Sequence, residues 1–391
     1  MEAARRRGVE LTIASERPST FEQAQPERLL TLDFANPELA AEQAARFAQQ
    51  HPIAGVVGVD DDTAVVAAAI AERLRLRGNP LPAALAARDK HLQRMTLAEK
   101  GVPVPRFELR SVGEDVTDLA THARYPCVVK PLRLSASRGV IRADDPPGFR
   151  AAFARLRSIL EQPDLAHCGG WALSVLIEDF ISGPEVALEG LVTGGRLQVL
   201  ALFDKPDPLD GPFFEETIYT TPSRLPQRAQ AAIAGCAQAA VTALDLREGP
   251  IHAELRYNER GPWLIELAAR SIGGRCSGAL QFRGGASLED VIVGHALGMS
   301  LPSLERERQA AGVMMIPVPG AGVLREVQGV AAARALALID DVVITAHPGQ
   351  TLVPWPEGSR YPGFIFARGE TPQAVERALR AAHRRLAFVI D

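Results

Sequence analysis

Lysine is the scarcest charged residue in this chain. Of its 391 residues, 43 are lysine or arginine, yet only four are lysine: Lys90, Lys100, Lys130 and Lys205. Because the chain uses arginine for most cationic positions, a retained lysine points to a specific role, and its compact ammonium suits a phosphate oxygen. Lys100 has a simpler explanation, since it precedes Gly101 at a predicted helix end, where a cation favours the helix dipole.

Long apolar runs and paired cysteines are also missing. No apolar run approaches the ~18 residues that a membrane span needs, and the start lacks the apolar stretch of a signal peptide. The four cysteines, Cys127, Cys168, Cys236 and Cys276, form neither a CxxC pair nor a Cys/His metal pattern. We therefore expect buried free thiols, a reducing compartment and a cytoplasmic protein without a membrane partner.

A strong positive charge is missing as well. The net charge of −4 and the pI of about 6.1 argue against broad nucleic-acid binding, which requires a basic surface. They leave room for small anionic ligands, which need only a local cationic pocket. A hydrophobic content of 47% is typical of a globular protein, and a length of 391 residues suggests two or three domains or one large α/β unit.

The first third of the chain alternates strand and helix patterns. A helix is predicted at 37–50, a buried strand at 53–59 and a helix over 61–78, an order that implies a parallel sheet. The start reads as the tail of a helix followed by a strand at 10–14. A strand should precede that helix, so either the fold starts differently or the start of the chain is assigned late.

The middle of the chain predicts one long helix at 84–100 and then a strand-rich region. The predicted strands are 127–130, 139–143, 174–180, 185–192, 196–203, 251–257 and 263–268, and the predicted helices are 149–160 and 229–244. From about residue 302 the pattern mixes short strands, turns and a last helix that begins at Thr371 and Pro372.

The predicted hairpin carries two glutamates that would face each other. Strand alternation places Glu254 on the same face as Arg256, and symmetry about Arg260 places Glu266 directly opposite Glu254. Like charges in this position destabilise a sheet, and a divalent cation such as Mg²⁺ would relieve the repulsion. The alternative is a solvated face on which Arg256 or another arginine neutralises the pair.

The stretch YPCVVKPLRLSASRG places a lysine where a buried strand ends. Lys130 follows the apolar strand, and Ser135, Ser137 and Gly139 follow in a loop of small residues whose backbone amides could approach phosphate oxygens. The loop is not a Walker motif, because GxxxxGK[ST] is absent. The alternative is a surface loop behind an ordinary strand.

Two further stretches contain residues suited to a nucleotide or an anion. In LIEDFISGPEVALEG, a strand ends at Glu178 and Asp179 and a new one opens at Glu185, although Gly-Pro between strands is often only a turn. In AARSIGGRCSG, Arg270 lies four residues after Glu266, where it could bind a carboxylate or phosphoryl oxygen in a bidentate manner. In an arginine-rich chain the alternative is a generic surface arginine.

Taken in order, these stretches resemble the ATP-grasp superfamily of carboxylate–amine ligases. The similarity spans roughly residues 84–299 and extends more weakly over the whole chain to the L-amino-acid (dipeptide) ligase branch. The resemblance implies an α/β chain with the ATP-grasp fold. It implies a parallel α/β pre-ATP-grasp domain at 1–84, a two-lobed ATP-grasp domain at 85–300 with its small lobe at about 115–184, and a small α+β module at 301–391.

The resemblance also implies roles for individual residues. Those implied to bind ATP are Lys90, Lys130, Ser135, Ser137, Gly139, Glu178, Asp179, Ile181, Glu185 and Lys205. Glu254 and Glu266 match ligands of Mg²⁺ or Mn²⁺, and Arg270 matches a residue that stabilises an acyl phosphate, with Lys130 as a second catalytic group. The substrate residues implied are Glu216, Arg270, Gly273 and Gly274.

Ala268 separates this sequence from the D-alanine–D-alanine ligases. Many ATP-grasp relatives have an asparagine two residues after the second glutamate, whereas IELAAR in this sequence is similar to the dipeptide-ligase branch. Gly274 is small where a bulky side chain could close the acceptor pocket, which would admit a sizeable second substrate.

The reaction that the resemblance implies is ATP-dependent formation of an amide from an amino acid carboxylate and an amine, with ADP and phosphate released. The implied partners are small-molecule substrates, and a homodimer is compatible with the resemblance. The alternatives are a biotin-carboxylase-like or purine-pathway ATP-grasp enzyme, with a loosely carboxylase-like pattern after residue 320, and a non-catalytic ATP-binding module.

Overall fold

The fold is described from a computed structural model over residues 1–18, 27–165, 169–301 and 303–391. Within these residues the chain is a mixed α/β protein with sheets of two, eight, three and four strands. The α/β class predicted from the sequence is therefore confirmed. Cys127, Cys236 and Cys276 are buried free thiols, as predicted, and Cys168 lies outside the described residues.

The N-terminal region is a small α/β layer. Its elements are α1 (Glu2–Arg6), β1 (Ile13–Ser15), β2 (Leu29–Thr31), α2 (Pro37–Phe47) and α3 (Asp61–Leu74). The two strands are parallel, but the partner of β1 is β2, which the sequence did not predict. Asp60 is the N-cap of helix α3, and its side chain accepts a hydrogen bond from the Thr63 amide at 2.7 Å.

The predicted strand at 53–59 is wrong. These residues form no strand, and Val57 and Val59 are exposed. An extended segment becomes a strand only when a neighbour pairs with its backbone groups, and no other part of the described chain does so here. The apolar pattern therefore predicted an extended segment, but it contained no information about a neighbouring strand that could pair with it.

The predicted long helix at 84–100 is two helices, α4 (Leu81–Arg88) and α5 (Lys90–Glu99). The break is at Asp89, whose backbone is extended and whose carboxylate accepts hydrogen bonds from the amides of His91 and Leu92 at 3.1 and 3.2 Å. An aspartate that satisfies the first amides of a helix favours a new helix start over continuation. As a result, Lys90 begins α5.

The next region forms a four-stranded sheet covered by two helices. Its elements are β3 (Phe107–Ser111), α6 (Val116–His122), β4 (Cys127–Pro131), β5 (Ile141–Ala143), α7 (Pro146–Leu160) and β6 (Ser174–Asp179). The strand order is β3-β6-β4-β5, and every pair is antiparallel. Strand β4 is central and fully buried, and it carries Lys130 next to its last residue.

A larger sheet follows. Its first elements are β7 (Glu185–Thr193), β8 (Arg196–Asp204), β9 (Ile218–Thr221), α8 (Gln227–Ala243), β10 (Glu248–Asn258), β11 (Gly261–Ala268) and α9 (Leu288–Ala296). The C-terminal elements are β12 (Ala310–Met315), β13 (Gly322–Gln328), α10 (Val330–Arg334), β14 (Ile339–Ile344), β15 (Thr351–Leu352), β16 (Gly363–Gly369), α11 (Pro372–His383) and β17 (Ala387–Ile390).

The C-terminal strands join the larger sheet. Its order is β11-β10-β7-β8-β9-β12-β16-β14, and all its neighbours are antiparallel. Strands β13, β15 and β17 form the three-stranded sheet. Among the described helices, none is both long and apolar enough to cross a lipid bilayer.

A buried core holds the hairpin β10–β11 in place. Helix α8 packs against the sheet through small and branched residues such as Ile233 and Val241, which meet Leu188, Leu255 and Leu267. All five are at most 1% exposed. Close packing of this kind resists displacement, so residues on the other face of the hairpin lie at fixed positions.

Candidate active site

A cavity lies between the four-stranded sheet and the eight-stranded sheet, and it encloses about 650 Å³ including the part open to solvent. Nine of the residues singled out from the sequence line it: Lys90, Lys130, Ser137, Glu178, Asp179, Ile181, Glu185, Glu254 and Glu266. Residues far apart in sequence thus meet in one place.

The two hairpin glutamates occupy paired positions, as the symmetry predicted. Glu254 of β10 pairs with Glu266 of β11. The turn itself is shorter than predicted, because Asn258 pairs with Gly261 and leaves only two residues between the strands. A bulge restores the pairing, since Leu255 pairs with Leu264 and Ile265 has no partner across the hairpin.

Each glutamate has a cation beside it. The Lys90 ammonium lies 3.0 Å from a Glu266 carboxylate oxygen and also donates to the carbonyl of Leu134 at 2.9 Å. The Lys205 ammonium lies 3.2 Å from Glu254. The repulsion expected between the glutamates is therefore offset by two lysines rather than by Arg256, which binds elsewhere.

Lys130 forms a buried ion pair with Glu178. Its ammonium lies 2.5 Å from one carboxylate oxygen, and Nε of Arg94 donates to the other at 2.7 Å. All three side chains are at most 5% exposed. Burial lowers the pKa of Lys130 to about 8 although Glu178 counteracts it. Burial raises the pKa of Glu178, but Arg94 and Lys130 outweigh it and the net shift is downward.

Lys205, which the resemblance implied as a nucleotide ligand, lies within a cluster of acids. Its ammonium donates to Glu185 at 2.7 Å and to Glu216, and it lies 3.2 Å from a carboxylate oxygen of Glu254. In this structure the ammonium therefore offsets the charge of three carboxylates, and its contact with ATP stays a prediction.

Glu216 is the acidic member of that cluster whose pKa is raised, so its charged form is disfavoured. Burial and the charge of Glu254 raise the pKa of Glu216 to about 7, although Lys205 opposes the shift. Its carboxyl group can therefore hold or release a proton near neutral pH.

Arg256 is the cation that organises the predicted adenine hinge. It is 3% exposed, and its Nε donates to Glu185 at 2.8 Å while Nη1 donates to the carbonyl of Ile181 at 2.9 Å. Nη2 donates to the carbonyl of Leu209 at 2.5 Å. The guanidinium also lies 4.7 Å from the ring of Phe180. Arg256 thus joins the hinge, the predicted ribose carboxylate and the opposite loop.

One wall of the cavity is apolar. Val128, Leu209 and Phe214 form a small cluster against which Val140 and Phe180 pack. All of these side chains line the cavity. An apolar wall next to a charged floor suits a flat heterocycle that carries phosphates.

The loop of residues 135–140, here called the SASRGV loop, differs in part from the prediction. Ser137 lines the cavity, but the Ser135 hydroxyl donates to Asp61 at 2.5 Å. The Gly139 amide donates to the carbonyl of Pro356 at 2.9 Å. In this structure the Ser135 hydroxyl and the Gly139 amide each have a protein acceptor, and the role of both residues at a phosphate stays a prediction.

Arg270 lies on the segment that leaves β11 and binds Asp61 of α3. Nε and Nη2 donate to the two carboxylate oxygens at 2.8 and 3.0 Å. Burial lowers the pKa of Arg270, but the negative charges of Asp61, Glu266 and Glu189 outweigh this effect and the net shift is upward. Arg270 is therefore a fixed cation near the hairpin glutamates.

The two predicted substrate glycines lie beyond Arg270. Gly274 has a φ of +60°, a conformation that glycine adopts readily. A Cβ at this position would lie 3.4 Å from the ring of Phe364 on β16. A side chain at Gly274 would therefore contact this ring, and the expectation that Gly274 opens the acceptor pocket stays a prediction. Gly273 accepts a hydrogen bond from the Cys276 amide at 3.1 Å.

The comparisons with known proteins agree with this geometry. Residues 1–78 match the ATP-grasp N-terminal domain, residues 123–279 match the ATP-grasp domain, and residues 314–391 match the L-amino acid ligase C-terminal domain 2. A solved L-amino acid ligase from Bacillus licheniformis aligns with 100% of this chain and 95% of its own, at 27% identity and a TM-score of 0.79. The chain belongs to the ATP-grasp superfamily, and its C-terminal residues match a domain of L-amino acid ligases.

Two curated ligases are also similar to the chain. Alanine–anticapsin ligase of Bacillus subtilis (strain 168) is 28% identical over 215 residues, covering 52% of this chain and 45% of that protein. Carnosine synthase 1 of Gallus gallus is 30% identical over 336 residues, covering 81% of this chain and 36% of that protein. The chain therefore spans less than half the length of these two relatives.

The predicted ATP-grasp metal ligands fit a hard divalent cation. Glu254 and Glu266 are paired across the hairpin and line one cavity. Their carboxylate oxygens are the donors that Mg²⁺ prefers, with water and phosphate oxygens completing its coordination. Glu266 keeps 34% of its side chain exposed, so one ligand is open toward the cavity.

Two buried residues beside the predicted metal ligands, His252 and Glu189, were not predicted from the sequence. Buried His252 contacts Glu189 through Nδ1 and lies 3.4 Å from Glu254 through Nε2. Burial lowers the pKa of His252, but Glu189 and Glu254 raise it to about 9. Glu189 in turn accepts the Ile272 amide at 3.1 Å, next to Arg270. The signal that could have found His252 is strand alternation, because His252 lies two residues before Glu254 and therefore on the same face of β10.

Proposed function

We propose that this chain is an ATP-dependent ligase that joins an amino acid carboxylate to an amine through an acyl phosphate. The observation that carries the proposal is the convergence of Glu254 and Glu266 with Lys90 and Lys130 in one cavity. Facing carboxylates and clustered cations suit the transfer of a phosphoryl group, because catalysis of that step is mainly positioning and charge stabilisation.

The nucleotide occupies the cavity in a definite direction. The base lies against the apolar wall of Val128, Leu209 and Phe214, beside the backbone of Asp179 to Ile181. The ribose hydroxyls donate to Glu185, whose orientation is fixed by its cation partners. The phosphates lie toward Lys90 and Lys130, where opposite charge is available.

The reaction proceeds in two steps. A carboxylate oxygen of the first substrate attacks the γ-phosphorus of ATP, and the bond to the β-phosphate oxygen breaks to give ADP and an acyl phosphate. The amine of the second substrate then attacks the acyl carbon, and phosphate leaves with the original carboxylate oxygen. A bound Mg²⁺ or Mn²⁺ ion, held by Glu254 and Glu266, supplies positive charge to the transferred group.

In this proposal Arg270 stabilises the acyl phosphate, and the SASRGV loop shields it from water. An acyl phosphate hydrolyses if water reaches it, so the site must be closed during the second step. The loop lies against two other parts of the chain. The indole N–H of Trp355 donates to the Ala136 carbonyl at 2.7 Å, and the Ser135 hydroxyl donates to Asp61.

The amino acid class of the substrates is inferred from the relatives. The C-terminal residues match a domain of L-amino acid ligases, and the similar proteins are named for amino acid products or substrates. Within this proposal, Glu216 and the Gly273–Gly274 segment contact the substrates. A cytoplasmic location and a homodimer stay predictions.

Phosphate release with pools of amino acids tests the proposal. The protein is incubated with ATP, Mg²⁺ and amino acids singly and in pairs, and the products are identified by mass spectrometry. We expect ADP, phosphate and a dipeptide only with certain pairs. Release that requires bicarbonate would instead indicate a carboxylase, and nucleotide binding without turnover under every condition would indicate a binding module.

A further inference from the structure

Arg270 is held by a residue of the N-terminal region. Asp61 is the first residue of α3 and lies 209 positions earlier in the chain. Its carboxylate binds the guanidinium through two parallel hydrogen bonds of 2.8 and 3.0 Å. The two side chains are only 12% and 14% exposed. Such a bidentate pair fixes both the position and the plane of the guanidinium.

The donors that Asp61 leaves unused define what Arg270 can bind. A guanidinium has five N–H donors in one plane. Asp61 takes the Nε donor and one Nη2 donor, and the Ser271 carbonyl takes one Nη1 donor at 3.0 Å. By this count one donor remains on each terminal nitrogen. That pair matches two oxygens of a carboxylate or phosphoryl group.

The same carboxylate also holds the SASRGV loop. The Ser135 hydroxyl donates to Oδ2 of Asp61 at 2.5 Å, and Nη2 of Arg270 donates to the same oxygen. Burial raises the pKa of Asp61, but the charge of Arg270 outweighs it and lowers the pKa to about 2. Asp61 is therefore an anion at any working pH and joins Arg270 to the loop.

The neighbouring aspartates have different partners. Asp60 accepts the Thr63 amide and caps the helix, and Asp62 binds Arg88 at 2.7 Å with 68% of its side chain exposed. Asp61 is thus the member of the run that binds Arg270.

We propose that Asp61 is a positioning residue for the second step of the reaction. It orients Arg270 toward the acyl phosphate and keeps the SASRGV loop closed, so that the amine reaches the intermediate before water does. The inference rests on the proposed ligase function. If the restraint is lost, water attacks the acyl phosphate, the carboxylate is regenerated and phosphate is released without an amide.

The ratio of phosphate released to amide formed tests this role. Wild type, Asp61→Asn, Asp62→Asn and Ser135→Ala are assayed with ATP, Mg²⁺ and an amino acid pair that wild type joins. We expect ratios near one for wild type and for the matched control Asp62→Asn. For Asp61→Asn we expect a ratio at least about threefold higher, as for the loss of a charge-assisted hydrogen bond.

A ratio is independent of how much of each variant is folded, because unfolded protein contributes to neither product. If Asp61→Asn lowers both rates and leaves the ratio at the wild-type value, Asp61 has only a structural role and the inference is overturned. If that variant does not fold, Ser135→Ala decides, with a raised ratio in favour and an unchanged ratio against. A wild-type protein that forms no amide with any pair would overturn the ligase function itself, and the inference with it.

Discussion

Glu266 lies opposite Glu254 because one residue, Ile265, is omitted from the pairing of β10 with β11. With a two-residue turn and no bulge, the partner of Glu254 would be Ile265. The bulge also contacts Arg94, whose guanidinium donates a hydrogen bond to the Ile265 carbonyl. Arg94 binds Glu178 at 2.7 Å, so the same irregularity joins the hairpin to the Lys130 ion pair.

Replacing Glu266 by glutamine should abolish most turnover. The change keeps the shape of the side chain but removes one of two anionic oxygen ligands, and we expect kcat to fall at least about a hundredfold. Steady-state assays over a range of Mg²⁺ concentrations measure the loss. Glu259→Gln, at the exposed turn of the same hairpin, is the control and should keep wild-type activity. Wild-type rates in Glu266→Gln would refute the metal assignment.

Nucleotide binding should weaken above pH 8. Lys130 is protonated below a pKa of about 8 and neutral above it. Because ADP binds the protonated form, binding above this pH requires Lys130 to take up one proton. By proton linkage we expect the Kd for ADP to rise by up to about tenfold per pH unit beyond that point. Calorimetric titration from pH 7 to 9.5 measures it. Lys130→Arg stays charged throughout, so its Kd should change less, and an equal slope in both proteins would contradict the role of Lys130.

Arg256→Lys should destabilise the fold although the charge is kept. The acceptors on Glu185, Ile181 and Leu209 are spread around the guanidinium, one at each of its three nitrogens, so a lysine ammonium in one place cannot reach all of them. Leaving buried acceptors unsatisfied should lower the free energy of unfolding by about 3 kcal/mol. Urea denaturation measures the difference. Arg260→Lys is the control, because Arg260 is exposed at the turn, and equal stabilities of the two variants would show that the buried contacts matter little.

Trp355→Phe should loosen the SASRGV loop. Phenylalanine keeps an aromatic ring beside Tyr361 but loses the indole N–H that binds the Ala136 carbonyl. The loss of ~1 kcal/mol should raise hydrogen exchange in residues 135–140 about fivefold. Trp263→Phe removes a comparable bond to Asn258 at 3.2 Å and should leave the loop unaffected. Unchanged exchange in the first variant would show that the loop is held by other contacts.

The parts of the site that the sequence predicted are those with a local pattern. Symmetry about Arg260 placed Glu254 opposite Glu266, and this pairing is right because the bulge at Ile265 compensates for a turn that is shorter than predicted. A buried strand that ends in lysine indicated the position of Lys130. The ordered set of such patterns identified the superfamily and the α/β fold. Each of these patterns lies within one strand or one hairpin.

The parts that were missed depend on partners far away in the chain. Asp61 and Arg270 are 209 residues apart, and Arg94 and Glu178 are 84 apart, so no spacing rule relates them. Lys205 was predicted to bind a phosphate oxygen, but in the structure its ammonium contacts three glutamates that no local pattern relates to it. The strand expected at 53–59 was wrong for the same reason, because pairing is a property of the neighbour as well as of the segment.

Oxygen transfer from substrate to phosphate tests the acyl phosphate directly. The wild-type protein is given ATP, Mg²⁺ and an amino acid pair in which the carboxylate oxygens of the first substrate are ¹⁸O. The carboxylate oxygen that attacks the γ-phosphorus leaves with the phosphate when the amide forms, so we expect one ¹⁸O in each phosphate released and none in ADP. Phosphate without ¹⁸O, or label found in AMP, would contradict an acyl-phosphate ligase.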